Sequence, residues 1–199
     1  MELTARLPFR LRSGVRETTD FDLNPEMRPK NRPLKPAAVL IPLMAAEGSW
    51  DVILTRRSAE LADHPGQIAF PGGKVDAGDG TALNAALREA REEIGLPSAL
   101  VHVIGDLPRH ETVTGYSVTP YVGVVTSGFV PRAEAGEVDE VFRVPIHHLI
   151  RAENFSIQSR IWMGTKRSYY TVPFGPYYIW GATARMLRNL CDSMDPVHD

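Results

Sequence analysis

Glu89, Glu92 and Glu93 stand three and four residues apart at the end of the stretch GGKVDAGDGTALNAALREAREEIGL, Gly72 to Leu96, with Arg88 and Arg91 beside them. At about 100° per residue and with Glu89 set to zero, Glu92 falls at about −60° and Glu93 at about +40°. Leu83, Leu87, Ala90 and Ile94 gather at about 100° to 160°, so a core face adjoins an acidic one. Oxygen donors at i and i+4 on a rigid helix suit a hard cation such as Mg²⁺, which keeps several waters and joins one or two carboxylates to substrate phosphates. The acids lie in the last turns before Gly95, the expected C′ glycine, where the macrodipole disfavours anions and like charges at i,i+4 repel. A positive partner is therefore expected. From the helix alone a second reading stays open, an ordinary solvated face in which Arg88 pairs with Glu92 and Arg91 turns outward.

The elements that must position these acids follow from pattern and punctuation. A helix is expected from about Thr81 to Ile94, entered through Pro71, Gly72 and Gly73, where glycine lets backbone approach closely and offer N–H groups to a ligand. Ala37 to Leu43 is continuously apolar and reads as a buried strand; Gly48 turns it into a second strand, Trp50 to Thr55. Ile68 to Phe70 reads as a short strand before the glycine turn. Further strands are expected near Leu100 to Asp106, Val118 to Thr126 (bounded by Gly115 and Gly128) and Glu140 to Val144. Pro145 then opens a short helix, Ile146 to Ile150. Ile161 to Met163, Ser168 to Phe174 and Tyr177 to Trp180 cluster aromatics in strand fashion, and a closing helix runs from about Gly181 to Asp192. Residues 1–34 read as an arm packed on a single domain at 35–199.

Composition narrows the function classes. The 199 residues are 43% apolar and 23% charged, as in a globular protein, and no apolar run approaches the roughly 18 residues a membrane helix needs. A net charge of −2 argues against a general nucleic-acid backbone binder, so an anionic substrate has to be met locally. The one cysteine, Cys191, excludes an intrachain disulfide and a multi-cysteine zinc site; beside Leu187 and Leu190 it reads as a structural helix residue. With no h-region at the N-terminus, a reducing, cytoplasmic location is expected.

These residues resemble the signature of the Nudix hydrolases: a glycine, a glutamate after a short loop, then Arg-Glu-aliphatic-x-Glu-Glu-x-Gly-aliphatic. Gly73 matches the opening glycine, and Arg88, Glu89, Glu92, Glu93, Gly95 and Leu96 match the closing segment. Asp79 takes the first glutamate's place, eight residues rather than seven separate it from Arg88, and Ala90 is smaller than the usual aliphatic residue. These departures bear on the loop and leave the acidic face intact. The stretch LTRRSAELADHPGQIAFPGGKVDAGD, Leu54 to Asp79, resembles the coenzyme A pyrophosphatase branch through Arg57, Ser58, Leu61, His64, Gly66, Gln67, Phe70, Pro71, Gly72, Gly73, Asp76 and Asp79.

The resemblance implies an α+β fold, a Nudix-type α/β/α sandwich with a mixed central sheet. It implies Mg²⁺- or Mn²⁺-dependent hydrolysis of the diphosphate of coenzyme A or acyl-coenzyme A, giving (acyl-)4′-phosphopantetheine and adenosine 3′,5′-bisphosphate. Glu89 and Glu93 would ligate metal, with Glu92 as a further or water-mediated ligand, and Arg88 would hold a carboxylate in register. The base would be a helix glutamate or an acid of a later loop, Glu137, with Asp139 and Glu140 as competitors. Arg57, His64, Gln67, Gly72, Gly73 and Lys74 are the expected substrate contacts, with Arg56 a further cation. Trp162, Tyr169, Tyr170, Tyr177, Tyr178 and Trp180 are expected in core packing or an interface, with stacking on adenine as the alternative. The N-terminal arm and the C-terminal aromatic strands are candidates for a homodimer contact. Two rival functions remain: a Nudix pyrophosphatase for ADP-ribose or dinucleotides, and a Nudix-fold binding module without turnover.

Overall fold

In the computed structural model, which describes residues 7, 9–126, 129–162 and 164–196, a mixed sheet carries helices on both faces. The strands are β1 (Phe9–Leu11), β2 (Thr18–Thr19), β3 (Lys35–Ala46), β4 (Ser49–Arg57), β5 (Ile68–Ala69), β6 (Gly72–Lys74), β7 (Val101–Asp106), β8 (His110–Glu111), β9 (Tyr116–Val125), β10 (Val138–Pro145), β11 (Ser156–Trp162), β12 (Thr165–Thr171) and β13 (Met194–Pro196). The helices are α1 (Ala82–Ile94), α2 (Ile146–Leu149) and α3 (Gly181–Ser193). The main sheet runs β10-β4-β3-β9-β8-β2, with β5 on β4, β6 on β3 and β7 on β9. The β3–β9 and β2–β8 pairs are parallel and the others antiparallel.

The continuous apolar run in β3 is explained by burial on both sides. Ala38 and Leu40 face α1, while Ile41 and Leu43 face the core shared with α2 and α3. β4 alternates in step: Ile53 packs toward α1, Val52 and Leu54 toward the other helices. This is the expected α/β/α sandwich.

Helix α1 starts at Thr81, whose side chain accepts the Asn84 N–H at 3.1 Å. It stops at Gly95, left-handed at φ 70°, whose N–H reaches the carbonyls of Ala90 and Arg91. Its buried residues are Ala85, Ala86, Ala90, Glu93 and Ile94, while Leu83 and Leu87 are only half-buried. The core arc is thus rotated from the expected leucine stripe toward the acids, because small alanines let the helix lie close on the sheet.

The C-terminal aromatic region departs from expectation. In place of three short strands there is one hairpin, β11–β12, paired from Ser156↔Thr171 to Trp162↔Thr165 and separate from the main sheet; Met163 lies outside the described residues, as does Gly128. Residues 174–180 contribute only the isolated bridges Thr171↔Trp180 and Phe174↔Tyr177. All of β11 is exposed, Ile157, Ile161 and Trp162 included, because the hairpin stands apart from the main sheet. The arm is woven into the fold: β1 pairs with β13 and β2 with β8. Cys191 is half-buried on α3, its thiol donating to the Ile150 carbonyl at 2.9 Å. Among the described residues no helix is long and apolar enough to cross a membrane.

Candidate active site

The glycine turn wedges β6 between β3 and α1 so closely that side chains are excluded. A Cβ on Gly72 would lie 2.5 Å from the Ala38 carbonyl oxygen, and one on Gly73 would lie 2.5 Å from Glu89 Oε1. The turn also supplies a donor: the Gly72 N–H reaches Glu93 Oε2 at 3.3 Å. Backbone and carboxylates therefore share one small space.

The three glutamates are not equivalent. Glu93 is 5% exposed, the Glu89 side chain 18% and the Glu92 side chain 47%. Burial, then the neighbouring charge of Glu89, push the Glu93 carboxyl up to about 8, against the Gly72 N–H and Arg57, which favour its ionised form. Glu89 is also raised, first by burial, although Arg88 opposes this. Charge from Glu137 raises both, which places this exposed loop acid within electrostatic reach of the helix pair.

Arg88 organises the outer edge. Its guanidinium donates to Asp79 at 2.8 and 3.1 Å, to Glu89 Oε1 at 2.9 Å, to Glu92 Oε2 at 3.0 Å and to the Lys74 carbonyl at 3.3 Å. That hydrogen bonding holds Asp79 below the usual carboxylate range, so the aspartate standing in the signature glutamate's place ties loop to helix through Arg88. Glu89 and Glu92 each keep a second oxygen for another partner.

The donor set fits a hard divalent cation. Glu93 and Glu89 are a buried and a mostly buried carboxylate whose proton affinity is raised first by burial, a cost that a bound cation would relieve. Among the described residues no three His, Cys, Asp or Glu side chains close into one chelate. A pair of buried oxygens with Glu92 further out instead matches an ion that completes its shell with water and phosphate.

A cavity of about 430 Å³ opens beside this cluster. Its lining includes Gly72 and Arg57, which reach Glu93 by hydrogen bond and by charge, together with His64 and Gln67, and Arg160, Trp162, Arg167 and Tyr169 of the hairpin. Trp180, Thr183 and Met186 close it from α3, and Asp20 enters from the arm. His64 is held left-handed, at φ 56°, in a turn closed by the Gln67 N–H on its carbonyl at 3.2 Å. Among the described residues the buried Arg57 Nε has no hydrogen-bond partner, which suits a guanidinium that meets an anion.

Of the expected substrate contacts, the structure gathers Arg57, His64, Gln67 and Gly72 at this cavity. Gly73 lies against Glu89 behind it, and Lys74 is exposed and absent from its walls. Arg56 is drawn away to Glu140 at 3.3 Å. The competitors of Glu137 are also engaged: Asp139 accepts the Ala59 N–H at 3.2 Å, and Glu140 accepts the Tyr177 hydroxyl at 2.7 Å. Among the aromatics, Trp162, Tyr169 and Trp180 line the cavity, while Tyr177 stacks on Phe142 at 3.6 Å. Asp20, Arg160 and Arg167 were not legible as site residues; only the pairing of β11 with β12 and the path of the arm bring them there.

Comparison with known proteins follows this geometry. The NUDIX domain family matches residues 34–163. The chain is 40% identical over 171 residues to the uncharacterized Nudix hydrolase NudL of Escherichia coli K12, covering 84% of this chain and 87% of that one. It is 39% identical over 171 residues, with the same coverage, to the protein of that name from Enterobacter sp. strain 638. A MutT/nudix family protein from Enterococcus faecalis shares the fold, with a TM-score of 0.55 at 14% identity over 86% of this chain and 64% of that one.

Proposed function

Because this chain belongs to the Nudix hydrolase family, whose members use divalent metal to hydrolyse pyrophosphate-linked substrates, we propose that it cleaves the diphosphate of coenzyme A or acyl-coenzyme A. The products are (acyl-)4′-phosphopantetheine and adenosine 3′,5′-bisphosphate. One observation carries the reading: the segment that resembles the coenzyme A pyrophosphatases puts Arg57, His64 and Gln67 into the cavity that adjoins Glu93.

Glu93 and Glu89 would hold Mg²⁺ or Mn²⁺, with Glu92 as a further or water-mediated ligand. When bound, the ion supplies charge neutralisation at the diphosphate and lowers the pKa of an attacking water. The protein does the rest by positioning. Arg88 fixes the Glu89 and Glu92 carboxylates, the unpartnered Arg57 guanidinium faces substrate phosphate, and Gly72 sets the depth of the pocket floor. Glu137 takes the water's proton, since it is the loop acid whose charge is felt at the helix pair. All three helix glutamates are present, which weighs against a binding module without turnover.

The test is product analysis with Mg²⁺ or Mn²⁺ on coenzyme A, acetyl-coenzyme A, ADP-ribose, NADH and a nucleotide sugar. Coenzyme A derivatives are expected to turn over fastest, releasing adenosine 3′,5′-bisphosphate. Faster turnover of ADP-ribose or NADH would replace this reading with the rival pyrophosphatase.

A further inference from the structure

Arg160 and Arg167 are directly opposite one another across the β11–β12 hairpin, and both line the cavity. Like charges at directly paired positions destabilise a two-stranded sheet, and this hairpin has no third strand to stiffen it. Part of the repulsion is relieved: Arg167 lies 3.7 Å from Asp20, the one carboxylate among the described lining residues. Asp20 is well placed for that. Burial raises its carboxyl, but His110, the Val113 N–H and Arg167 more than offset this and keep it ionised. Arg160 has no ion-pair partner among the described residues. It lies instead over Trp180 at 4.6 Å and Tyr169 at 5.9 Å, two rings that meet edge to face at 5.3 Å.

The cavity therefore contains three guanidiniums, of Arg57, Arg160 and Arg167, against one carboxylate, and two of the three sit on the hairpin. The diphosphate is to be split beside Glu93 and Arg57. A second cationic centre, on another element, calls for a second anionic group on the same substrate. The aromatic faces around it define what carries that group: Trp180 and Tyr169 hold Arg160, and Trp162 lies under Arg167 at 5.3 Å. Planar rings interleaved with guanidiniums recognise a nucleobase and a nearby phosphate together.

We infer that Arg160 and Arg167, with Trp162, Tyr169 and Trp180, form a subsite for a nucleoside bearing a phosphomonoester on its ribose, distinct from the diphosphate position. The inference rests on the substrate reading above and refines it. The hairpin selects for the extra phosphate, so a nucleotide that lacks it is handled by the same chemistry with weaker capture.

Two measurements test this, and the second does not depend on turnover of coenzyme A. The first compares kcat and KM for coenzyme A and 3′-dephospho-coenzyme A in the wild type and in Arg160→Gln. The wild type is expected to favour coenzyme A in kcat/KM by about tenfold or more, the size of a charge-assisted hydrogen bond. Arg160→Gln is expected to bring that ratio close to one by raising KM for coenzyme A more than KM for the dephospho substrate. The second measures calorimetric binding of adenosine 3′,5′-bisphosphate and AMP at low and high salt. The wild type should bind the bisphosphate more tightly, with the steeper salt dependence, and this arm stands even if the variant does not fold. A ratio near one in the wild type, or a preference that survives Arg160→Gln intact, overturns the subsite while leaving the coenzyme A reading standing. Tight bisphosphate binding through Arg160 without hydrolysis of coenzyme A supports the subsite and removes the functional reading instead.

Discussion

Glu93 is the residue at which stability and function oppose each other. Its carboxyl, ordinarily near 4.5, is pushed up to about 8 in the folded chain, so the native state holds a proton that the unfolded chain releases. A raised folded pKa means that the contribution to stability is fully present below about pH 4.5 and is lost as pH rises toward about 8. Metal-free Glu93→Gln is therefore expected to melt higher than wild type at pH 8, by about 2 to 4 °C for each kcal/mol relieved, with the difference vanishing near pH 5. The same variant should lose about a hundredfold or more in kcat. For the wild type, Mg²⁺ should raise Tm more at pH 8 than at pH 6, because the deprotonated carboxylate is the ligand; scanning fluorimetry across pH reads both effects. The spacing of the three acids was plain in the sequence. Their inequality was not, because it depends on how near the alanines of α1 let the helix approach the sheet.

At the scale of elements, the contact between β6 and α1 sets the site. Gly73 has room for no side chain, yet the atoms a methyl would strike belong to the end of the Glu89 side chain rather than to backbone. Gly73→Ala is thus expected to fold with Tm nearly unchanged and to lose up to about a hundredfold in activity as Glu89 is displaced. At Gly72 the obstruction is the Ala38 and Val39 backbone, so Gly72→Ala should lower Tm as well; the two variants measured side by side distinguish the cases. Helix α1, its cap and its terminating glycine were legible because a 3.6-residue period and end signals are local. The hairpin was read only as the fragments Ile161 to Met163 and Ser168 to Phe174 because cross-strand register is a property of two strands together, and no period within either one records that Arg160 meets Arg167.

For the whole molecule, the arm is a structural tie. Asn24, 3% exposed, donates to the Ser168 carbonyl and accepts the Ser168 N–H, both at 2.8 Å, clamping β12 to the arm. Arg185 of α3 reaches Asp22 at 2.9 Å, and Asp20 holds Arg167. Asn24→Ala should cost about 1 to 3 kcal/mol by removing both hydrogen bonds to the part-buried Ser168 backbone. Because it loosens the hairpin, it should also raise KM more than it lowers kcat, which denaturant titration and steady-state kinetics check together. The sandwich itself was legible from strands buried on both faces and two amphipathic helices. The route by which residues far apart in the chain meet at one cavity was not.

The stretch shared with the NUDIX family ends at residue 163 and begins at residue 34, yet Asp20, Arg167, Tyr169, Trp180, Thr183 and Met186 stand outside those limits and wall the cavity. The cavity is thus assembled across that limit, with Arg57, His64, Gln67, Arg160 and Trp162 inside the common segment and the remaining wall supplied by its flanks. A fragment trimmed to the common segment would keep its glutamates and part of the cavity wall, and would leave open the side that Arg167, Tyr169, Trp180 and Met186 now close.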